Sequence, residues 1–98
     1  MKNFVITDFE WTSWKGNYTG KYLEKEKRHK WQKKEIIQIG AIKVNENFKI
    51  EKKLNIYVKP LFNPVLSEYI QDLTGLKQSL IDKKGIEFKI AFKIFLDF

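Results

Sequence analysis

Three stretches among the first sixty residues read as strands, two of them apolar on both faces and the third alternating apolar and polar with a period of two. In Asn3 to Thr12, NFVITDFEWT, side chains alternate faces, so Phe4, Ile6, Asp8 and Glu10 share one face while Val5, Phe9 and Trp11 line the other. This predicts a strand over about residues 3–11, apolar on both faces and therefore of the kind normally found inside a sheet. Glu35 to Val44, EIIQIGAIKV, predicts a second interior strand over 35–44. After the turn residues Asn45-Glu46-Asn47, a third strand is expected over 48–58. Phe48, Ile50, Leu54, Ile56 and Val58 fall on one face, interrupted by Lys52; Lys49, Glu51, Lys53, Asn55, Tyr57 and Lys59 fall on the other. The short turn implies an antiparallel hairpin, and the charged face places this strand near a sheet edge.

The second half changes period. Pro60 and Pro64 stop the sheet, Ser67 is placed to cap a helix over 68–73, Glu68 favours its positive end and Gly75 is placed to end it. A further helical turn is expected over 78–81, closed by Asp82-Lys83-Lys84-Gly85. Over 86–97 Lys89, Lys93 and Asp97 form a polar stripe, with Ile90, Ala91, Ile94, Phe95 and Phe98 on the apolar remainder, an amphipathic helix suited to lying on a sheet. The predicted architecture is α/β, of an α+β-like kind: a three-stranded antiparallel meander plus two or three helices, within one domain spanning 1–98.

Between the first two strands lies a segment of a different character, rich in lysine and marked for turns by Gly16, Asn17 and Gly20. It reads as a long, mobile connection. Trp14, Tyr18, Tyr22 and Trp31 are interleaved with its cations, a mixture suited to stacking bases while neutralising phosphates, with Lys15, Arg28, Lys30 and Trp31 as candidate contacts. The same composition also describes a solvated basic loop whose aromatics pack back on the domain. His29, the only histidine, reads as a surface residue without a particular task. From Lys15 to Lys34 there are eight basic residues and two acids, so this stretch carries +6 of the net +7. Lysine supplies every basic residue except Arg28, so part of the excess can reflect nucleotide bias in the gene.

With 98 residues the core is small. The absence of cysteine excludes structural disulfides and thiolate metal sites and fits a reducing compartment. The N-terminus does not read as a signal peptide, and no apolar stretch approaches bilayer length. A cytoplasmic protein without membrane contact is the expectation.

Asp8 and Glu10 carry the candidate chemistry. Two residues apart on one strand face, their Cα atoms lie roughly 6.5–7 Å from each other. Carboxylates so spaced can reach two Mg²⁺ ions about 3.5–4 Å apart, the arrangement used for in-line attack on phosphodiesters. Taken alone, the pair reads first as a strand end that has surfaced into water, since Asp-x-Glu is common and strand ends are usually wet.

The segments together resemble the N-terminal half of a DEDD-type 3′-to-5′ exonuclease of the ribonuclease H-like superfamily, in the branch with a catalytic histidine. Asp8-Phe9-Glu10-x-Thr12-x-Trp14 resembles that family's first acidic motif, and Glu35-Ile36-Ile37-Gln38-Ile39-Gly40-Ala41 is similar to its second strand. The longest likeness is Lys59-Pro60, Asn63-Pro64, Leu66-Ser67, Tyr69, Leu73-Thr74-Gly75-Leu76, Gln78 and Ile81-Asp82. The resemblance implies that Asp8 bridges two Mg²⁺ or Mn²⁺ ions and that Glu10 binds the one activating water. It also implies that Leu73, Thr74 and Gly75 line the pocket for the terminal nucleotide, with Thr12 and Trp14 on the substrate side. Single-stranded nucleic acid is the implied partner, RNA favoured.

The family's second acidic motif belongs on a strand after the last helix, and its third motif, with the histidine, later still. Neither Asp97 nor His29 is placed to substitute for them. The resemblance therefore implies a truncated ribonuclease H-like fold whose first strand lacks its fourth-strand neighbour and becomes an apolar edge. Self-association through strand 3–11, or pairing with a second chain, is expected. A catalytically inactive nucleic-acid-binding module and a gene remnant are the alternatives to an exonuclease.

Overall fold

The structure is a computed structural model that describes residues 3–14 and 33–98. Strands β1 (Phe4–Trp11), β2 (Ile36–Val44) and β3 (Ile50–Tyr57) form an antiparallel sheet in the order β1-β2-β3. Helices α1 (Glu68–Thr74), α2 (Gln78–Lys84) and α3 (Phe88–Asp97) follow. The Lys15-to-Trp31 reading, with Lys15, Arg28, Lys30 and Trp31, lies outside the described residues.

β2 is central as its sequence requires: Ile37, Ile39, Ala41 and Val44 are buried. The register sets Asp8 opposite Gly40 and Glu10 opposite Gln38, so these four residues share a sheet face. An irregularity between Glu10 and Trp11 leaves Ile37 as an extra residue. Ile37 joins Leu66, Ile70, Leu76 and Ile81 in a core beneath α1 and α2. On the opposite face Ile39, Ile56, Val58 and Ala91 form a second core beneath α3, joined by Phe9 and Phe95. The acidic pair is thus on the α1/α2 side of the sheet.

Three expectations need correction, the second helix among them: it runs from Gln78 to Lys84, and Asp82-Lys83-Lys84, expected to close it, lie within it. The third strand begins at Ile50, not residue 48, because Phe48 takes a left-handed conformation, φ 61°, and closes the Asn45–Phe48 turn with a 2.9 Å N–H bond to the Asn45 carbonyl. The Asn45 side chain accepts from the N–H groups of Asn47 and Lys49, which holds that turn. A register shift beside Val44 then makes Glu51 the extra residue and moves Ile50 off the face of Leu54 and Ile56.

The third helix starts at Phe88 because Ile86 is held in a parallel bridge with Val58, donating to the Tyr57 carbonyl and accepting from Lys59. It meets the sheet along a narrower strip than its composition implies. Ala91 is fully buried and Phe95 packs edge-on to Phe9 at 5.6 Å, yet Ile90, Phe92, Ile94 and Leu96 remain 41–65% exposed. No helix among the described residues is long and apolar enough to cross a membrane.

β1 lies at the sheet edge. Phe4, Val5 and Ile6 are each about half exposed, in place of the two-sided cover that the apolar pattern alone suggests.

Candidate active site

Strand alternation aims Asp8 and Glu10 to one side, and β2 furnishes the ground beside them. Gly40, opposite Asp8, has no side chain, which leaves the space next to the Asp8 carboxylate open. Gln38, opposite Glu10, donates through Nε2 to Asn55 Oδ1 at 2.9 Å, and Asn55 donates to the Tyr57 hydroxyl at 3.2 Å. This polar row occupies the same face. Asp8 is exposed and Glu10 half-buried. Neither carboxylate has a hydrogen-bond or ion-pair partner among the described residues.

Burial, and secondarily the neighbouring Asp8 charge, push the Glu10 carboxyl above the usual carboxylate range. A cation placed between the two acids relieves both effects. Hard carboxylate oxygens, an open neighbouring position and mutual repulsion are the properties that a divalent ion of the Mg²⁺ or Mn²⁺ type requires. The residues therefore fit such an ion, although no group of three or more His, Cys, Asp or Glu is gathered among the described residues.

Immediately beyond Glu10 the strand end is clamped. Thr12 is 2% exposed; its hydroxyl donates to the Lys33 carbonyl at 3.1 Å and accepts from Glu35 N–H at 2.9 Å. The Glu35 carboxylate accepts from the backbone N–H groups of Leu61, Phe62 and Asn63 and from Asn63 Nδ2, at 2.6–3.1 Å. Ser67 closes the ring, donating to the Ser13 carbonyl at 2.6 Å while capping Ile70 N–H at 3.1 Å. One clamp therefore joins the end of the acidic strand, the start of β2 and the start of α1.

Trp14 lies two residues past Thr12, partly exposed. Leu73, 65% exposed, ends α1 with Thr74, whose hydroxyl donates to the Ile70 carbonyl at 2.7 Å and accepts from Leu76 N–H at 3.1 Å. Gly75 takes φ 77° and returns its N–H to the Gln71 carbonyl at 2.9 Å. Glu35, Asn63, Gln38 and Gly40 were not singled out from the sequence as site residues. Glu35 reads as the first residue of a strand, and its partners lie 26 to 28 positions away.

An antiparallel meander with helices on both faces and two acids at the end of its first strand is the ribonuclease H-like exonuclease fold, of which this chain spans part. The Exonuclease family, RNase_T, matches residues 5–98, and the chain belongs to that family. It is 34% identical over 92 residues to the 3′-5′ exonuclease Snipper of Drosophila melanogaster, covering 93% of this chain and 29% of that protein. To ERI1 exoribonuclease 2 of Xenopus laevis it is 35% identical over 92 residues, covering 93% of this chain and 12% of that one. Among solved structures, the nuclease domain of 3′hExo, a DEDDh family member bound to rAMP, superposes with a TM-score of 0.76 at 28% identity. That match covers 97% of this chain and 42% of the other. The chain thus spans less than half the length of each of these relatives.

Proposed function

We propose that this chain carries the first half of a metal-dependent 3′-to-5′ exonuclease site that hydrolyses phosphodiesters at nucleic-acid 3′ ends, with RNA the favoured substrate. The observation that carries the reading is the Asp8–Glu10 pair on one strand face, without a partner among the described residues, in a chain of the exonuclease family. Asp8 and Glu10 would hold two Mg²⁺ or Mn²⁺ ions, which when bound activate water and stabilise the leaving 3′ oxygen. The chain's own residues position and orient. The Thr12 hydroxyl, committed to Lys33 and Glu35, fixes the strand end, while Trp14, Leu73, Thr74 and Gly75 border the place for the terminal nucleotide. RNA is favoured because solved relatives include a 3′-exonuclease recognising a histone mRNA stem-loop and a nuclease domain bound to rAMP.

Two carboxylates are half of the family's set, and on this reading the chain does not turn over by itself. The remaining groups come from further polypeptide, and the half-exposed edge of β1 is where a strand of a second copy or a second chain pairs. A dilute, well-folded monomer in sedimentation would contradict that pairing. A cytoplasmic location belongs to the same reading, supported by the absence of cysteine.

The test is degradation of a 5′-labelled single-stranded RNA with Mn²⁺, beside Asp8→Ala. The folded chain alone should leave the RNA intact. Shortening from the 3′ end that is lost in Asp8→Ala would uphold the site but overturn its incompleteness. Shortening that survives the substitution would overturn the site.

The second reading, a binding module without turnover, is favoured by the +7 charge. Salt-sensitive affinity that is the same with and without Mn²⁺ and ignores Asp8→Ala supports it; a gain in affinity with Mn²⁺ that is lost in Asp8→Ala supports the metal site.

A further inference from the structure

A cavity of about 620 Å³ opens at the end of the sheet beside the start of α3. Trp11, Phe62 and Phe88 form aromatic walls, and Val58 lies at its apolar floor. These three residues are 45%, 61% and 46% exposed, with one face of Phe88 stacked on Phe92 at 5.6 Å between ring centres. Trp11 pairs with Ile36, which packs in the α3-side core. The cleft therefore lies across the sheet from Asp8 and Glu10.

Its rim is cationic. Lys34, Lys59 and Lys89 line it, and each is exposed without a side-chain partner among the described residues. Lys33 adds a fourth cation, with Nζ 4.8 Å from the centre of the Phe62 ring. Two carboxylates also reach the rim. Glu35 is saturated by the Leu61–Asn63 N–H groups. Glu87 precedes the first residue of α3, where the positive end of the helix offsets part of its charge. The volume falls within the roughly 300–1,000 Å³ range of ligand sites. Exposed aromatic side chains beside lysines that have no side-chain partner among the described residues are the two halves of single-strand recognition, stacking and phosphate neutralisation.

We propose that this cleft binds single-stranded nucleic acid without metal, a base stacking on Trp11, Phe62 or Phe88 and phosphates meeting Lys34, Lys59 and Lys89. The choice of ligand class rests on the exonuclease reading; the location does not. Bases in a duplex offer no free faces, so the cleft discriminates against double strands.

The experiment is fluorescence anisotropy of a 5′-fluorescein octauridylate against the full chain in EDTA. Wild type should bind. Lys34→Glu with Lys89→Glu should lose at least about tenfold in affinity, with the log–log salt slope reduced by about two. Lys52→Glu with Lys53→Glu on β3, the same change in net charge, should bind like wild type. Lys34→Gln with Lys89→Gln should show the same loss at smaller size, and circular dichroism checks that each variant is folded. No binding in EDTA, or equal losses in the two charge-reversed pairs, would overturn the proposal. Because the assay contains no divalent metal, that failure leaves the Asp8–Glu10 site standing, and a loss of metal binding there leaves the cleft standing.

Discussion

Thr12 and Glu35 are joined by two reciprocal hydrogen bonds: Thr12 N–H donates to the Glu35 carbonyl at 2.8 Å, and Glu35 N–H donates to Thr12 Oγ1 at 2.9 Å. The pair pins the end of the acidic strand two residues past Glu10. Thr12→Val keeps the shape but leaves Glu35 N–H and the Lys33 carbonyl without the hydroxyl. The Lys33 carbonyl keeps its bond from Asn63 Nδ2 at 3.0 Å, so Glu35 N–H is the group left orphaned; that costs about 1–3 kcal/mol, and a loss of about 1–2 kcal/mol is expected in urea denaturation. Thr12→Ser should recover most of it.

Glu35 ties the loop from Leu61 to Asn63 to β2 through charge-assisted bonds, roughly twice as strong as neutral ones. Glu35→Gln removes the charge and turns one acceptor into a donor facing N–H groups. A destabilisation of about 2 kcal/mol is expected. Hydrogen exchange should show lost amide protection at Leu61, Phe62 and Asn63 ahead of the sheet.

Backbone conformation sets opposite signs at two positions. Phe48, 84% exposed at φ 61°, occupies a region that glycine adopts without strain, so Phe48→Gly should stabilise by about 0.5–1 kcal/mol. Gly75 at φ 77° uses that freedom to end α1, so Gly75→Ala should cost about 1 kcal/mol. Thermal melts of the two single variants decide both. A gain in Gly75→Ala would contradict the cap.

Glu10 predicts a pH dependence. Burial and then Asp8 raise its carboxyl pKa in the folded state. As pH rises through the ordinary glutamate range, the unfolded chain loses its proton first and stability falls, until the raised folded-state value is passed. Glu10→Gln cannot ionise. In EDTA it should therefore gain on wild type across that window, hold a constant advantage at neutral pH, and converge with it in acid. Thermal midpoints measured against pH check this, and an advantage that persists in acid would contradict it.

Local signals made most of the fold legible. Apolar runs located β1 and β2, and Ser67 and Gly75 bounded α1, where they cap as their chemistry requires. The Asp8–Glu10 pair was legible because period two fixes which side chains share a face. Features that failed to show depend on distant partners or on a single φ angle. Nothing local distinguishes Glu35 as a clamp, since its three backbone donors come from a loop far along the chain. The left-handed turn at Phe48 runs against residue preference. It shortened β3, and the extra residue Glu51 altered its register. In α3 the apolar arc is broad, but only Ala91 and Phe95 find the sheet, because helix packing depends on what lies opposite. The open cleft beside Trp11 likewise arises from four separated segments.

The central claim is that Asp8 and Glu10 together hold divalent metal. Titration of the chain with Mn²⁺, following the loss of the free-ion electron paramagnetic resonance signal, tests it without requiring turnover. The account predicts saturable binding by wild type that is abolished in Asp8→Ala and weakened in Glu10→Gln, with a Mn²⁺-dependent rise in melting temperature only where both acids are present. Equal Mn²⁺ binding by wild type and Asp8→Ala would contradict it.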